Sequence, residues 1–276
     1  MNKGVTLAKF TDNIPNEDSF RTEQNFVAVS DGAGGSGVFA SEWSNYLLEH
    51  IDPNMPISTF EELDSWIDHI CDEFYQRHEL IALKEDGIFQ RKFYEEGSCA
   101  TLAAIWRVGP NLCKWVTYGD SVVFHYDRVE RSLEFHSTDL KSFSLSPHLI
   151  SCNMRLDPRG FNSGEFEIND SSVVFVASDA LSHFIIMMYM VHNRSWFTKE
   201  IDSIMNSHSK DAELLSLAME TNFSFDESIV LKLEQAVTDQ SCFEDFIKKM
   251  FGAGLIEIDD YSLVFLKMSH ETCSIH

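Results

Sequence analysis

Residues Val27 to Val38 read VAVSDGAGGSGV, and two parses compete for them. Gly32, Gly34 and Gly37 spell G-x-G-x-x-G behind an apolar run, the fingerprint of a dinucleotide-binding loop. Read that way, the chain is a doubly wound parallel sheet with a pyrophosphate on the loop. Asp31, however, sets a carboxylate at the mouth of the loop where the pyrophosphate would approach. On the other parse, the aspartate holds a metal and the glycines serve the backbone. The rest of the sequence chooses between them.

A chain of 276 residues, 44% hydrophobic and 12% aromatic, can bury a substantial core and is globular. It is read as a single domain, 1–276, since no repeat, low-complexity tract or linker interrupts it. With 21 basic and 44 acidic residues the formal charge is −23. That field repels nucleic acid and anionic membranes and attracts cations and basic peptide segments. The six cysteines include no C-x-x-C pair, which fits a reduced, cytoplasmic protein better than a disulfide or zinc framework. No signal peptide is evident at the N-terminus. The apolar run 172–191 carries Asp179 and His183 in its middle, so it reads as a buried strand entering a buried helix, not a membrane span.

Helices are expected at 36–50 and 58–84, the second with Phe60, Leu63, Ile67, Ile70, Phe74 and Ile81 along one face. Ser58 with Glu61 reads as its capping box, and Ser241 with Glu244 as that of a short helix ended by Gly252 or Gly254. Strand-like runs fall at 25–30, 99–107, 112–118, 121–126, 164–168, 172–178 and 262–268. Helices and strands therefore come in blocks and do not alternate strictly. Blocks argue for an α+β fold with antiparallel sheets covered by helices, against the parallel sheet that a dinucleotide loop needs.

Several of those runs end in a small residue and an aspartate: VAVS-Asp31, VTYG-Asp120 and FVAS-Asp179. Ile258-Asp259-Asp260 leads into the last run, and Glu17-Asp18 precedes the first. Singly, each reads as a turn or helix cap. If neighbouring strands carry them to one edge, they repel one another by roughly 4 kcal/mol per pair at 4 Å and an effective dielectric near 20. Such a cluster calls for protons or cations. Oxygen donors without thiolates favour Mg²⁺ or Mn²⁺.

The ordered set NEDSF (16–20), VSDGAGG (29–35), GSCATLA (97–103), YGDS (118–121), ASDAL (177–181) and IDDYSLVFL (258–266) resembles the type-2C metal-dependent Ser/Thr protein phosphatases, particularly their compact members. The resemblance covers about 250 residues. It implies a four-layer αββα sandwich with two Mn²⁺ or Mg²⁺ ions at one end. By position, Asp31 would bridge the metals and be catalytic, with Asp18 orienting metal-bound water. Glu17 and the Gly32 carbonyl would hold one metal, Asp179 and Asp259 the other, and Asp120 a weaker third. A metal-bridging water would attack the phosphoserine or phosphothreonine of a phosphorylated protein directly, without a phosphoenzyme. The loop glycines would then bend the backbone so that the Gly32 carbonyl faces a metal.

The chain departs from that pattern in four places. Asn13 stands where many members have a phosphate-gripping arginine, and Ala33 where many have a histidine. Ala180 replaces the glycine of S-D-G, and Val122 the arginine after G-D-S. Lys9 and Arg21 are nearby candidates for the phosphate clamp, each otherwise read as a solvated charge. The last metal ligand is read as Asp259 in preference to Asp260, on its spacing to Ser262. Asp226, in Phe225-Asp226-Glu227, is the rival for that ligand, but the helical face that follows it makes it a helix N-cap. The histidines lack metal-ligand spacing, and neither Ser30 nor Ser178 lies in a G-x-S-x-G elbow. The polar segment 137–165 is assigned as a flap beside the site. Asn13, Ala180 and Val122 also motivate an alternative, a catalytically impaired pseudophosphatase serving as a binding module.

Overall fold

The structure, a computed structural model, describes residues 2–10, 15–136, 140, 142–207 and 209–267. Asn13 lies outside them, as do parts of the 137–165 segment. In chain order the first strands are β1 (Lys3–Leu7), β2 (Ser19–Glu23), β3 (Phe26–Ser30), β4 (Cys99–Ala100), β5 (Leu102–Gly109) and β6 (Leu112–Tyr118). Then come β7 (Val122–Asp127), β8 (Ser132–His136), β9 (Ile150–Ser151), β10 (Phe161–Glu167), β11 (Ser172–Ala177) and β12 (Tyr261–Leu266). Two five-stranded sheets form, ordered β1-β12-β11-β7-β8 and β10-β6-β5-β3-β2, with every pair antiparallel.

Alternation along each strand explains the stacking of the layers. In β3, Val27 and Val29 point between the sheets, where they meet Val174, Val176 and Val264 of β11 and β12. Phe26 and Ala28 point outward against α1 (Ala40–His50) and α2 (Phe60–Ala82), packing on Trp43, Leu47 and Phe74. The other sheet turns Phe124, Phe175 and Leu263 outward onto α4 (Asp179–His192), where Phe184, Ile185 and Met188 are buried. Both faces of each central strand are therefore covered, which is why 26–29 and 173–177 read as unbroken apolar runs. The remaining helices are α3 (Gly87–Glu96), α5 (Thr198–Met205), α6 (Lys210–Met219), α7 (Leu231–Ala236) and α8 (Gln240–Gly252). The layers run helix, sheet, sheet, helix, so the expected α+β sandwich is observed. The parallel dinucleotide fold is not.

Local details correct several expectations. Helix α1 starts at Ala40 and not at 36, because Gly34–Ser36 forms a 3₁₀ turn and Phe39 takes a left-handed φ of 55°. The capping box of α2 is Thr59 with Glu62, one residue after the expected pair, and Glu62 also accepts the Ser58 N–H. His78 and Ala82 continue the buried row of α2, while Ile81 is exposed. Asp239 caps α8 instead of Ser241, since its Oδ1 accepts the Ser241 and Cys242 N–H groups. Gly254, with φ 70°, reverses the chain after that helix. Asp226 is not an N-cap: it pairs with Arg128 at 2.7 Å, at the start of a π-turn spanning Asp226–Val230. The region read as a flap supplies β9 and the beginning of β10, so its last residues belong to the sheet.

No helix among the described residues is long and apolar enough to cross a membrane. The run 172–191 forms β11 and most of α4, with Leu181 to Met190 buried.

Candidate functional site

Antiparallel pairing brings the start of one strand beside the end of its neighbour, and the acidic residues occupy those positions. Ser19 pairs with Ser30, so Asp18 before β2 stands next to Asp31 after β3. Ala177 pairs with Val122 on one side and Leu263 on the other. Asp179 after β11 is thereby set beside Asp120, which precedes β7, and Asp259, which precedes β12. The two sheets present their groups at the same end of the sandwich. The charges of Asp18, Asp179, Asp120 and Asp259 all act on Asp31.

Burial and this crowding govern the protonation of the group. Desolvation first, then the neighbouring carboxylates, push Asp31 and Asp179 well above the usual carboxylate range. Burial, with Asp260 adding repulsion, pushes Asp18 up to about 7. Burial and Asp259 push Asp120 up to about 6. Glu17 and Asp259 are raised chiefly by burial, and the Lys9 ammonium works against both shifts. Asp18 is 6% exposed, and neither of its carboxylate oxygens has a hydrogen-bond partner. The Ser178 and Ser262 hydroxyls lie close enough to favour its charged form without making a well-formed bond. Orphaned buried oxygens are rare and costly, and here they mark a place suited to a cation or a proton.

The backbone around these groups is tied down by side chains. The Thr101 N–H donates to the Asp31 carbonyl at 2.8 Å, and its hydroxyl accepts the Asp31 N–H and meets Ser121 Oγ at 2.7 Å. Ser44 Oγ donates to the Glu17 carbonyl at 2.6 Å. Gly119, with φ 98°, turns the chain into Asp120, and a Cβ there would lie 2.8 Å from Thr101 Cγ2. Gly32 is needed for close approach rather than for a sharp bend. A Cβ on it would sit 2.6 Å from the carbonyls of both Glu17 and Ala40, and its φ is not left-handed. Glu17 Oε2 accepts the Gly34 N–H at 3.3 Å, placing that side chain over the glycine loop.

Asp259 and Asp260 do different work. Asp260, 3% exposed, accepts the Lys9 N–H on Oδ1 and the Glu17 N–H on Oδ2, each at 2.8 Å. Its charge is thus committed to holding two chain segments together. Asp259 joins Asp179 in lining a cleft of about 270 Å³ with Phe143, His183, Lys210 and Glu257. His183 is hydrogen-bonded to Asp211 at 3.1 Å, as the spacing argument allowed. A larger cleft of about 360 Å³ lies at the other ends of β1 and β12, beside Lys3 and Lys267, and includes none of these aspartates. Sequence reasoning overlooked Asp260 as a clamp, together with Thr101 and Ser44. The doubled aspartate before β12 and the threonine in GSCATLA were the available signals.

The donors are hard oxygens and the pocket is strongly acidic, so its chemistry fits Mn²⁺ or Mg²⁺. Among the described residues, however, no three His, Cys, Asp or Glu side chains stand as a ready-made metal-ligand group. The carboxylates gather at one end of the sandwich without forming a closed coordination shell.

No family model and no curated protein matches the sequence. Solved structures do match in shape. The catalytic domain of the Ser/Thr protein phosphatase PstP, in complex with two manganese ions, superposes with a TM-score of 0.54 at 16% identity over 96% of each chain. PppA, described as a key regulatory component of T6SS in Pseudomonas aeruginosa, gives 0.52 at 12% identity over 96% of each chain. PstP/Ppp of Mycobacterium tuberculosis gives 0.51 at 15% identity, over 96% of this chain and 97% of that one. At these identities the likeness establishes the architecture: this chain has the fold of metal-dependent Ser/Thr phosphatases.

Proposed function

We propose that the protein is a metal-dependent phosphatase acting on phosphoserine or phosphothreonine in proteins, with residues 1–276 as one catalytic unit. One observation carries this reading: Asp18, Asp31, Asp120, Asp179 and Asp259, widely separated in sequence, gather at one end of the sandwich, where burial first and neighbouring carboxylates next raise their proton affinity. The phosphatase fold of the neighbours supports it. Asp31 and Glu17, with the Gly32 carbonyl, would hold one divalent ion, Asp31 and Asp179 with Asp259 a second, and Asp120 a weaker third. Bound Mn²⁺ or Mg²⁺ would supply an activated water and neutralise the phosphoryl oxygens. Asp18, next to Asp31, would orient water in the pocket. Phe143, which lines the cleft with Asp179, would belong to a flap beside the site. Free cysteines at 71, 99, 113, 152 and 242 fit a cytoplasmic setting.

A second reading, the binding module, is favoured by Asn13, Ala180 and Val122, which stand where many phosphatases of this type carry arginine or glycine. The two readings separate in one assay. Purified protein with Mn²⁺ is expected to hydrolyse p-nitrophenyl phosphate, and Asp31→Asn and Asp179→Asn are each expected to lose at least about 100-fold. Equal rates in all three proteins would reject the phosphatase. A binding module would show neither turnover nor Mn²⁺ uptake by calorimetry.

A further inference from the structure

A phosphate dianion entering so acidic a pocket needs a protein cation to receive it, and among the described residues Lys9 stands beside that pocket held only by long ion pairs. Arg21 is engaged, its Nη1 donating to the Leu48, Glu49 and Ile51 carbonyls at the end of α1. Lys92 donates to the Gly34 and Gly35 carbonyls, and Lys210 pairs with Glu257 at 2.8 Å. Lys9 differs from these. Its ammonium stands 3.9 Å from Glu17 Oε2 and 4.0 Å from Asp260 Oδ2, longer than hydrogen bonds, with the side chain 20% exposed.

Its backbone, by contrast, is fixed. The Lys9 N–H is held by Asp260, which also holds Glu17, and the next residue, Phe10, packs on Tyr261 and Phe251. A fixed backbone with a loosely held ammonium at its tip is suited to receive an incoming anion. The lysine charge reaches Glu17 and Asp259, which puts it beside the acidic pocket. Resting on the phosphatase reading, we propose that Lys9 is a substrate-binding residue, swinging from Glu17 and Asp260 to the phosphate oxygens of the substrate. Asp260 is then its positioning residue, through the backbone amide.

The test uses the full-length protein loaded with Mn²⁺, with inorganic phosphate as the probe in calorimetry and p-nitrophenyl phosphate in turnover. Lys9→Gln should weaken phosphate binding and raise KM by about tenfold or more, with a smaller change in kcat, because a charge-assisted contact is lost. Lys9→Arg should stay within about threefold of the parent, since it keeps the cation. Mn²⁺ affinity of Lys9→Gln should be unchanged or tighter, because a neighbouring cation has gone. Phosphate binding by Lys9→Gln equal to the parent's would overturn the proposal, as would loss of phosphate only together with Mn²⁺ or thermal stability. Failure to bind phosphate in the parent would overturn it too. If Mn²⁺-loaded parent binds phosphate through Lys9 but turns nothing over, the phosphatase reading falls and the Lys9 site stands.

Discussion

Removing one buried charge from the acidic pocket should stabilise the metal-free protein, and Asp18→Asn is the substitution that isolates the effect. In the native chain the Asp18 carboxyl is pushed from 3.8 up to about 7, by burial first and by Asp260 next. The native state therefore keeps a proton that the unfolded chain has already released. Between those two values the metal-free protein loses stability as pH rises, by about 1.4 kcal/mol per pH unit. Above pH 7 the whole penalty is present: a shift of about three units corresponds to ~4 kcal/mol. Asparagine occupies nearly the same volume without the charge, and it also relieves Asp31, on which Asp18 acts directly. In EDTA at pH 8, urea denaturation should show Asp18→Asn more stable than the parent by about 3–4 kcal/mol. The midpoint of thermal unfolding should rise by on the order of 10 °C. At pH 4 the two proteins should converge. Saturating Mn²⁺ should narrow the gap at pH 8 by stabilising the parent, by about 2.7 kcal/mol at a hundred times the dissociation constant. An Asp18→Asn protein no more stable than the parent in EDTA at pH 8 would refute the reasoning, as would an advantage independent of pH.

Asp260→Ala should have the opposite sign. It orphans the Lys9 and Glu17 N–H groups, so equilibrium denaturation at pH 7 is expected to show a loss of about 2–5 kcal/mol. Gly32→Ala drives a methyl group to 2.6 Å from two backbone carbonyls and should cost about 2 kcal/mol or more, read by the same denaturation. It should also lower any Mn²⁺-dependent turnover, because the backbone of Glu17 must move to admit it.

The sheets were legible because their central strands are buried on both faces: the runs holding Val27, Val174 and Val264 are buried at every position and apolar at all but one serine each. The edge strands were not. In β1 and β2 the pattern is largely half-buried, and Lys3, Arg21 and Glu23 break the apolar signal, so both went unread. Helix α3 was missed as well, since of its residues only Phe93 is buried. The acidic positions stood out because each interrupts an apolar run at a strand end. Their gathering at one end of the sandwich follows from the antiparallel order, which the block arrangement of elements implied. The distinction between Asp259 and Asp260 rested on spacing alone. Only the partners of Asp260, two amides at sequence separations of 251 and 243, show why it is structural. The capping boxes at Ser58 and Ser241 were each misplaced by one or two residues, because Thr59 and Asp239 offer equivalent oxygens nearby and helix starts are set by the competition between them.

The gathered carboxylates are tested most directly by anomalous scattering at the manganese edge from crystals grown with Mn²⁺. Two strong peaks should lie among Glu17, Asp31, Asp179 and Asp259, both vanishing in Asp31→Asn. Peaks confined to other acidic patches of this strongly negative surface, or none at that end of the sandwich, would contradict a two-cation centre.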